Sequence, residues 1–448
     1  MSDDFDLIVI GGGSGGLAGA FRAAAHGARV ALLEPSALGG TCVNVGCVPK
    51  KAMWLAAEVA GKLRQAQTLG FAVEAAALDW PTFIAHRQRY IHNIHASYRR
   101  RLEESGIALL PVRGTLLDAG RVRCSDGVTL RAAQILIATG GHALKPDIPG
   151  AELGGTSDDF FQWTQPPQRV AIIGGGYIAV ELAGVLQALG SRVEMFVRGK
   201  RLLDGFDTEI VEQLTEDYRQ QGIACHLMQP VSALHARGAQ TQVGVGDARS
   251  DGFDAVLFAT GRRPNTDGLG LTTVGIALDN KGRIVVDAQH ATSVAGVHAV
   301  GDVTDNPALT PVAIAAARRL MDRLYGARRD NVLDLALVPT VVFSHPPLAQ
   351  VGLSEGAARE QHGEAVHVYR TSFRPMLHAL ADSPQRSLFK LVCIGEQRHV
   401  VGLHLLGEAA DEMLQGFAVA MRRGITLDDL HDTIAIHPTS AEEVVLLR

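Results

Sequence analysis

The sequence has few cysteines, few aromatic residues and no long apolar run. Its 448 residues include five cysteines, and aromatic residues make up 5% of the chain. Five cysteines are too few and too scattered for a structural disulfide framework, and no uninterrupted apolar run reaches the roughly 20 residues that span a bilayer. The net charge of -5 is small, so neither a nucleic acid nor a membrane is expected as a partner.

The N-terminus also lacks the features of a secretory signal. Met1–Asp4 leads straight into an apolar segment, without a basic region or a cleavage site. A cytoplasmic location is therefore expected. In that reducing compartment a close cysteine pair is more often catalytic or metal-binding than structural, and only Cys42 and Cys47 are close in sequence. No second CxxC and no histidine pair lies nearby, so no metal site is expected.

Two segments repeat the order strand, glycine turn, helix, strand. The first predicts strands at Phe5–Ile10 and Arg29–Glu34, and the second predicts strands at Arg169–Ile173 and Arg192–Arg198. Each segment is a βαβ unit, which is the building block of Rossmann-like folds. We therefore expect an α/β protein with two Rossmann-like dinucleotide-binding domains.

The C-terminal part of the chain has a different pattern. Leu388–Ile394 and His399–Leu406 alternate or run apolar as antiparallel strands do, and helices are expected near Asp411–Arg422 and Ser440–Leu447. This indicates a separate α+β domain. The predicted boundaries of the four parts are 1–142, 143–262, 263–336 and 337–448.

The first glycine turn is Gly11-x-Gly13-x-x-Gly16, between a strand and a helix. Such glycines permit the tight turn and bring the backbone close to a pyrophosphate, which then faces the helix N-terminus. Glu34 ends the second strand, where a carboxylate can bind a ribose hydroxyl. This turn predicts an FAD site.

The second turn is Gly174-x-Gly176-x-x-Ala179, and no acid ends its second strand. Instead a basic cluster follows, which suits a 2′-phosphate better than a bare hydroxyl. The turn therefore predicts an NADPH site. The cluster consists of Arg198, Lys200 and Arg201.

A third candidate for the flavin site is the dipeptide Gly301-Asp302, which follows the apolar run Gly296–Val300. An aspartate at the end of a strand can bind the ribityl hydroxyls of a flavin. In isolation the pair is a common turn, and its interest comes from the two nucleotide motifs.

Cys42 and Cys47 are five positions apart in GGTCVNVGCVPKK. In a regular helix their Cα atoms would be roughly 8–9 Å apart, but a disulfide requires less than about 7 Å. If the two cysteines bond, the stretch must therefore depart from an ideal helix, and Gly46 supplies conformational freedom. The following helix, near 50–65, is expected to lower the thiol pKa through its positive end.

An acid–base candidate lies near the C-terminus. His437 is followed by Glu442, which can orient the imidazole and stabilise its charged form. Reductive cleavage of a disulfide produces a thiolate, and a histidine can protonate it.

Six motifs resemble, in order, those of the flavoprotein disulfide reductases that carry two dinucleotide-binding domains. They are GGTCVNVGCVPKK (39–51), GGGYIAVELAG (174–184), ATGRRPN (259–265), VGDVTDNPALTPVAIAA (300–316), PTVVFSHPP (339–347) and HPTSAEE (437–443). The resemblance covers essentially the whole chain. It implies FAD-binding, NADPH-binding, central and interface domains in a homodimer.

The resemblance also assigns roles to the redox residues. It implies that Cys47 contacts the flavin and that Cys42 attacks the substrate disulfide. His437 and Glu442 would come from the partner subunit, and Thr310 would contact the isoalloxazine ring.

Further roles concern the nicotinamide side of the flavin. Lys50 and Glu181 would pair beside the flavin, and Tyr177 would cover the nicotinamide pocket and move when NADPH binds. Other positions in the same motifs are expected to contact the two cofactors: Ser14, Gly15, Gly40, Thr41, Thr139, Gly140, Ile178, Gly261 and Arg262.

The implied substrate is oxidised glutathione, an anionic disulfide whose reduction maintains the thiol balance of the cell. Arg22, Arg101 and Arg318 could supply cations, and Ser14 and Tyr98 match positions that line the substrate cleft.

Two positions depart from the family pattern. Phe21 replaces a basic or polar residue at the substrate entrance, so the glutathione contacts can differ. Asp204 stands where relatives usually have a second arginine for the 2′-phosphate, and its charge repels that phosphate.

Two alternatives remain open. One is a reductase of another small disulfide, similar to dihydrolipoamide dehydrogenase or trypanothione reductase. Against it, Lys50 replaces the serine that is usual in the former, and Ala18 replaces an acid of the latter. The other is a redox-sensing flavoprotein, which would need neither His437 nor Glu442.

Overall fold

The computed structural model describes residues 4–73, 77–328 and 332–448, which form two compact units. Unit 1 contains Met1–Lys50, Pro81–Leu144 and Gly261–Leu333. Unit 2 contains Lys51–Trp80, Lys145–Thr260 and Asp334–Arg448. The finer division into four domains stays a prediction. None of the described helices is both long and apolar enough to cross a bilayer.

The helices, in chain order, are α1 (Ser14–Ala25), α2 (Gly40–Asn44), α3 (Cys47–Thr68), α4 (Trp80–Glu104), α5 (Ser157–Phe160), α6 (Tyr177–Ala188), α7 (Thr208–Gln220), α8 (Leu271–Val274), α9 (Thr310–Leu324), α10 (Glu355–His362), α11 (Met376–Leu380), α12 (Ala410–Met421), α13 (Leu427–His431) and α14 (Glu442–Val445).

The strands are β1 (Asp4–Ile10), β2 (Val30–Leu33), β3 (Ala108–Leu110), β4 (Gly114–Asp118), β5 (Arg121–Cys124), β6 (Thr129–Ile137), β7 (Gly141–Ala143), β8 (Gly155–Thr156), β9 (Arg169–Ile173), β10 (Arg192–Val197), β11 (Ala224–Leu227), β12 (Ala233–Arg237), β13 (Gln240–Val245), β14 (Ala248–Phe253), β15 (Ala255–Phe258), β16 (Arg262–Pro264), β17 (Val297–Ala299), β18 (Thr340–Val342), β19 (Leu348–Gly352), β20 (Val366–Phe373), β21 (Ser387–Ile394) and β22 (His399–Leu406).

The main sheet of unit 1 has the strand order β3-β2-β1-β6-β5-β4, and β17 also pairs with β6. β1 runs parallel to β2 and to β6, and α1 connects β1 to β2. The central strands are apolar on both faces because the sheet is covered on both sides. Ile8, Val9, Leu32 and Ile135 are accordingly all 0% exposed. The first predicted βαβ unit is confirmed.

Unit 2 contains a parallel sheet with the order β11-β10-β9-β15-β8, in which α6 connects β9 to β10. β9 has the predicted bounds. β10 ends one residue earlier than predicted, at Val197, so Arg198 lies just beyond its carboxyl end. This is the edge at which α/β sheets bind their ligands.

The C-terminal part of unit 2 is an antiparallel sheet with the order β18-β19-β22-β21-β20. The two predicted strands are confirmed as β21 and β22. Residues of α12 and α14 pack on the sheet, where Phe389 and Leu405 are fully buried. The helix predicted at Ser440–Leu447 is shorter, because α14 covers only Glu442–Val445.

Candidate active site

The first dinucleotide turn requires glycine at two positions for steric reasons. Gly11 has a φ of 107°, and a Cβ there would lie 2.5 Å from the carbonyl oxygen of Ala138. A Cβ at Gly16 would lie 1.8 Å from the carbonyl oxygen of Gly11, so helix and strand pack without any side chain between them. Larger residues at either position would push the turn apart.

Gly13 has a different environment from the other two glycines. A Cβ there would meet nothing nearer than the Cα of Gly40, at 3.9 Å. Gly13 also precedes α1, whose first N–H groups receive no side-chain cap. Open space in front of uncapped N–H groups fits a pyrophosphate, so the predicted FAD residues suit that cofactor.

Glu34 closes the same turn. Its carboxylate accepts hydrogen bonds from the backbone N–H groups of Gly12, at 2.7 Å, and Ser36, at 2.8 Å. The end of β2 is thereby tied to the glycine turn. A carboxylate has lone pairs beyond these two bonds, so Glu34 keeps the capacity to accept a ribose hydroxyl.

Several predicted cofactor residues lie at the carboxyl ends of β6 and β17. Gly301 has a φ of 79°, and Asp302 follows it, with Oδ2 located 3.8 Å from Nε of Arg262. Thr139 donates a hydrogen bond to the carbonyl of Asn265 at 2.7 Å, and the Asn265 amide donates to the carbonyl of Thr139 at 2.9 Å. These contacts fix the loops that follow β6 and β17, next to the first nucleotide site.

The second glycine turn repeats the first in unit 2. Gly174 has a φ of 139°, and a Cβ there would lie 2.3 Å from the carbonyl oxygen of Ala259. Nothing lies within 4 Å of a Cβ built at Gly176, which precedes the uncapped N-terminus of α6. Ala179 is fully buried, so its methyl group fits where the first turn has Gly16. This turn can hold a second pyrophosphate.

The basic cluster beside this turn is partly engaged by an acid. Nε of Arg201 lies 3.4 Å from Oδ1 of Asp204, and a second guanidinium nitrogen donates to the Asp204 carbonyl at 3.1 Å. Arg201 also hydrogen-bonds to Thr208 at the start of α7. Arg198 and Lys200 are exposed. Arg201 is therefore already bound by protein groups, whereas Arg198 lies at the ligand edge.

The two cysteines lie on either side of a helix break, as the spacing argument predicts. α2 ends at Asn44 and α3 begins at Cys47. Gly46 has no left-handed φ, so its role differs from the predicted conformational freedom. A Cβ there would lie 2.7 Å from the carbonyl oxygen of Thr41. Glycine is needed because two backbone segments approach closely at the break.

Asn44 holds this break, and the sequence analysis missed it. Its amide nitrogen donates to the carbonyls of Gly40, at 2.9 Å, and Leu38, at 3.1 Å. Its amide oxygen lies 2.8 Å from Nε2 of His95, on α4. The asparagine inside the cysteine spacing was the available signal, since asparagine side chains often bind neighbouring backbone groups.

The two sulfurs have different surroundings. Cys42 hydrogen-bonds to Cys47 and to the hydroxyls of Thr310 and Ser14. Sγ of Cys47 lies 3.7 Å from Oγ1 of Thr310. The N-termini of α1 and α9, where these hydroxyls lie, therefore meet at the cysteine pair.

The pKa of Cys42 shifts in the direction opposite to the one predicted. The hydrogen bond with Cys47 raises it most, burial raises it further, and the bonds from Thr310 and Ser14 lower it only partly. When two thiols share a proton, ionisation of one opposes that of the other. A thiol whose pKa is raised needs a base before it can act as a nucleophile.

His437 and Glu442 are brought together as predicted. Nδ1 of His437 lies 2.9 Å from Oε2 of Glu442, and the backbone N–H of Thr439 donates to Oε1 at 3.2 Å. The hydrogen bond with His437 holds the pKa of Glu442 below its usual value. The His437 side chain is 79% exposed, so the ring is oriented by Glu442 and still accessible.

The residues predicted to lie beside the nicotinamide have mixed exposure. Glu181, in α6, is 5% exposed and accepts a hydrogen bond from the backbone N–H of Phe343 at 2.9 Å. Tyr177 begins α6 and is exposed, and Lys50 lies half-buried in the first turn of α3. The pairing of Lys50 with Glu181 and the movement of Tyr177 stay predictions.

The three candidate substrate arginines differ in their partners. Arg22 forms an ion pair with Asp322, which also lies 2.9 Å from Nε2 of His26. Arg318 is exposed on α9. The guanidinium of Arg101 lies 4.5 Å from the ring centroid of Phe21. Of the three, Arg22 is thus held by a carboxylate of its own unit.

The remaining candidates for a site are metal-binding clusters and cavities among the described residues. No group of three or more His, Cys, Asp or Glu side chains that could hold a metal ion occurs there. A cavity of about 500 Å³ lies in unit 2 beside Trp54, Glu58 and His345. It contains none of the predicted site residues.

Two nucleotide turns and a cysteine pair held at two helix N-termini define a flavin- and nucleotide-dependent thiol oxidoreductase. The chain belongs to the pyridine nucleotide-disulphide oxidoreductase family, whose profile matches residues 5–317. The profile of the family's dimerisation domain matches residues 338–448.

Two glutathione reductases are similar to this chain over almost its whole length. The glutathione reductase of Yarrowia lipolytica is 42% identical over 464 residues, covering 99% of this chain and 99% of its own. The glutathione reductase of Schizosaccharomyces pombe is 42% identical over 462 residues, covering 100% of this chain and 99% of its own.

Proposed function

We propose that this chain is a glutathione-disulfide reductase that uses FAD and NADPH. The observation that carries the proposal is the cysteine pair, which is held by a glycine-dependent helix break and by hydroxyls at two helix N-termini. The two full-length relatives carry the same activity in their names. The two glycine turns provide separate nucleotide sites, one in each unit.

The cofactor sites follow from the open turns. Gly13 and the N-terminus of α1 would hold the FAD pyrophosphate, with Glu34 at the ribose and Asp302 at the ribityl chain. Gly176 and the N-terminus of α6 would hold NADPH, with Arg198 at the 2′-phosphate. Bound flavin supplies two-electron transfer from the nicotinamide to the disulfide.

The protein residues carry out the thiol chemistry. His437 takes the proton from Cys42, and the Cys42 thiolate attacks one sulfur of oxidised glutathione. The disulfide bond of the substrate breaks, Cys42 forms a mixed disulfide, and the departing glutathione thiolate receives the proton from His437. Cys47 then attacks Sγ of Cys42, which restores the cysteine disulfide and releases the second glutathione thiolate.

The catalytic unit is proposed to be a homodimer. Residues 338–448 match a dimerisation domain, and two isoleucines near His437 are unusually exposed for apolar side chains. Ile434 is 93% and Ile436 is 72% exposed. A partner subunit would cover them and would bring its own Cys42–Cys47 pair to His437.

We place the enzyme in the cytoplasm, where thiols are kept reduced.

A matrix of initial rates tests the function. It crosses NADPH and NADH with glutathione disulfide, lipoamide and trypanothione disulfide, using the purified flavoprotein. We expect the highest kcat/KM for NADPH with glutathione disulfide. Preference for lipoamide or trypanothione disulfide would support a different reductase, and a single oxidation of NADPH without repeated turnover would support a sensor.

A further inference from the structure

Helices α1 and α4 of unit 1 each carry one residue close to Cys42 and a second residue further along the helix. On α1, Ser14 hydrogen-bonds to Cys42, and Phe21 lies two turns further along the helix. On α4, burial raises the pKa of Tyr98, and the nearby Cys42 raises it further. Arg101 lies one turn beyond Tyr98. Phe21 and Arg101 therefore lie on these two helices, one to two turns beyond the residues close to Cys42.

The Arg101 guanidinium lies over the Phe21 ring. The guanidinium carbon lies 4.5 Å from the ring centroid, which is within the range of a cation–π contact. Phe21 is half-buried and packs against the apolar core of unit 1, whereas Arg101 is exposed. The anchored ring thus holds a side chain that would otherwise sample many rotamers.

A guanidinium whose face lies over an aromatic ring keeps its N–H groups available for hydrogen bonds. The five N–H groups of arginine lie in the plane of the group, so contact with a ring face blocks none of them. Arg22, on the next position of α1, has its charge compensated by Asp322. Within the described residues no carboxylate forms an ion pair with Arg101. Unlike Arg22, Arg101 therefore keeps its charge and its N–H groups for a carboxylate from outside the protein.

We propose that Phe21 is a positioning residue for substrate specificity, holding Arg101 so that it binds a terminal carboxylate of the disulfide substrate. The inference rests on the proposed function and specifies the substrate class. The preferred disulfides would carry carboxylates remote from the sulfurs, and neutral or cationic termini would be disfavoured.

A structural role alone predicts a different outcome from substitutions at position 21. Leucine preserves apolar packing but lacks a π face, whereas tyrosine preserves both. If Phe21 only fills the core, leucine and tyrosine should differ little in substrate affinity. If the ring positions Arg101, only the aromatic residue maintains affinity for an anionic substrate.

The experiment compares Phe21→Leu, Phe21→Tyr, Arg101→Gln and the double variant Phe21→Leu/Arg101→Gln as FAD-loaded enzymes. The substrates are glutathione disulfide and its ester in which both glycine carboxylates are methylated. We expect Phe21→Leu to raise KM for glutathione disulfide about two- to fivefold, the scale of an exposed cation–π contact, with kcat unchanged. KM for the ester should not change, and Phe21→Tyr should match wild type.

The double variant should equal Arg101→Gln, because Phe21 acts only through that guanidinium. Equal effects on the ester, additive effects in the double variant, or a Phe21→Tyr enzyme as impaired as Phe21→Leu would each overturn the inference. Flavin content and NADPH–ferricyanide reduction check that each variant is folded. A wild-type enzyme that fails to turn over glutathione disulfide would instead reject the proposed function, and this inference with it.

Discussion

The contacts of single residues distinguish the two cysteines of the active site. Cys42 has three hydrogen-bonding partners, namely Cys47, Thr310 and Ser14. The bond with Cys47 and burial raise the pKa of its thiol. Because its pKa is raised, the Cys42 thiol needs a base before it can attack a disulfide. The proposed roles differ accordingly, with Cys47 at the flavin and Cys42 at the substrate.

The Cys42→Ser variant tests this division. We expect it to lose glutathione disulfide turnover, because no nucleophile remains for the substrate. The Cys47 thiolate should still lie near bound FAD and give a long-wavelength charge-transfer absorption band. Absorption spectra and steady-state rates of the purified holoenzyme measure both effects. Normal turnover by this variant would refute the assigned roles.

Asp204 is the second residue whose contacts have a functional consequence. It forms an ion pair with the Arg201 guanidinium and places a negative charge beside the proposed 2′-phosphate site. We expect Asp204→Asn to lower KM for NADPH about two- to fivefold, the scale of one exposed charge, and to leave KM for NADH unchanged. Asp247→Asn, at an exposed acid in the β13–β14 turn, is the matched control. Equal improvement for both nucleotides would mean that Asp204 does not discriminate between them.

Residue-level prediction succeeded where chemistry is encoded locally and failed where it depends on contacts across the fold. The pairing of His437 with Glu442 follows from their spacing and is found in the structure. The contact of Arg101 with Phe21 joins two helices that are distant in sequence, so no local pattern reports it. Sequence spacing also cannot give the sign of a thiol pKa shift that depends on burial.

The secondary structure elements show the same division. Strong apolar periodicity predicted both βαβ units and the C-terminal strands. The antiparallel sheet β12-β13-β14 was not predicted, because its strands are short and contain several polar and charged residues. Just before α14, the Thr439 hydroxyl accepts a hydrogen bond from the Glu442 N–H, a contact that the sequence pattern does not specify.

One buried ion cluster joins elements of unit 2. Nζ of Lys390, on β21, lies 3.0 Å from Asp207 before α7, 3.1 Å from Glu209 and 2.7 Å from Glu355 on α10. The Lys390 and Asp207 side chains are 3% and 2% exposed. Burial opposes the charge of both residues, but hydrogen bonds outweigh it. Those with Glu355 and Asp207 raise the pKa of Lys390, and those with Lys390 and the Glu355 backbone lower the pKa of Asp207.

Lys390→Met should destabilise unit 2 by about 3–5 kcal/mol, because Asp207 is left as an uncompensated buried charge. The Lys390→Met/Asp207→Asn double variant should recover part of the loss. Urea unfolding followed at neutral pH measures both. A Lys390→Met enzyme as stable as wild type would show that the cluster contributes no stability.

The same cluster sets a pH dependence. The lowered pKa of Asp207 means that its contribution is present above the usual carboxyl range and is lost as the pH falls through the folded value. The raised pKa of Lys390 means that its contribution is lost only at alkaline pH. Stability from this cluster should therefore be greatest at neutral pH and should fall on acidification, and Lys390→Met should weaken that dependence.

The whole molecule is expected to act as a dimer, because His437 is exposed beside exposed isoleucines and the C-terminal part matches a dimerisation domain. The sequence motifs predicted the reaction class and the partner subunit's contribution by resemblance. No pattern in a single chain can show which surface its copy covers.

Subunit complementation tests the shared site. His437→Ala should slow turnover at least about a hundredfold, the usual scale of acid–base catalysis, and Cys42→Ser should be inactive. Equal amounts of the two variants, dissociated and reassociated together, should regain about a quarter of wild-type activity, because half the dimers are mixed and each has one intact site. Recovery no greater than the sum of the separate variants would place His437 and Cys42 in the same subunit.

The amide of Asn44 has a further consequence for the reaction cycle. By binding the carbonyls of Leu38 and Gly40 while His95 holds its oxygen, it fixes the backbone that carries both sulfurs. In the proposed cycle, each round makes and breaks a bond between the sulfurs of Cys42 and Cys47. With the main chain held in place, we expect the change to be confined to rotation of the two cysteine side chains. The proposed enzyme would then alternate between its oxidised and reduced forms without refolding the loop.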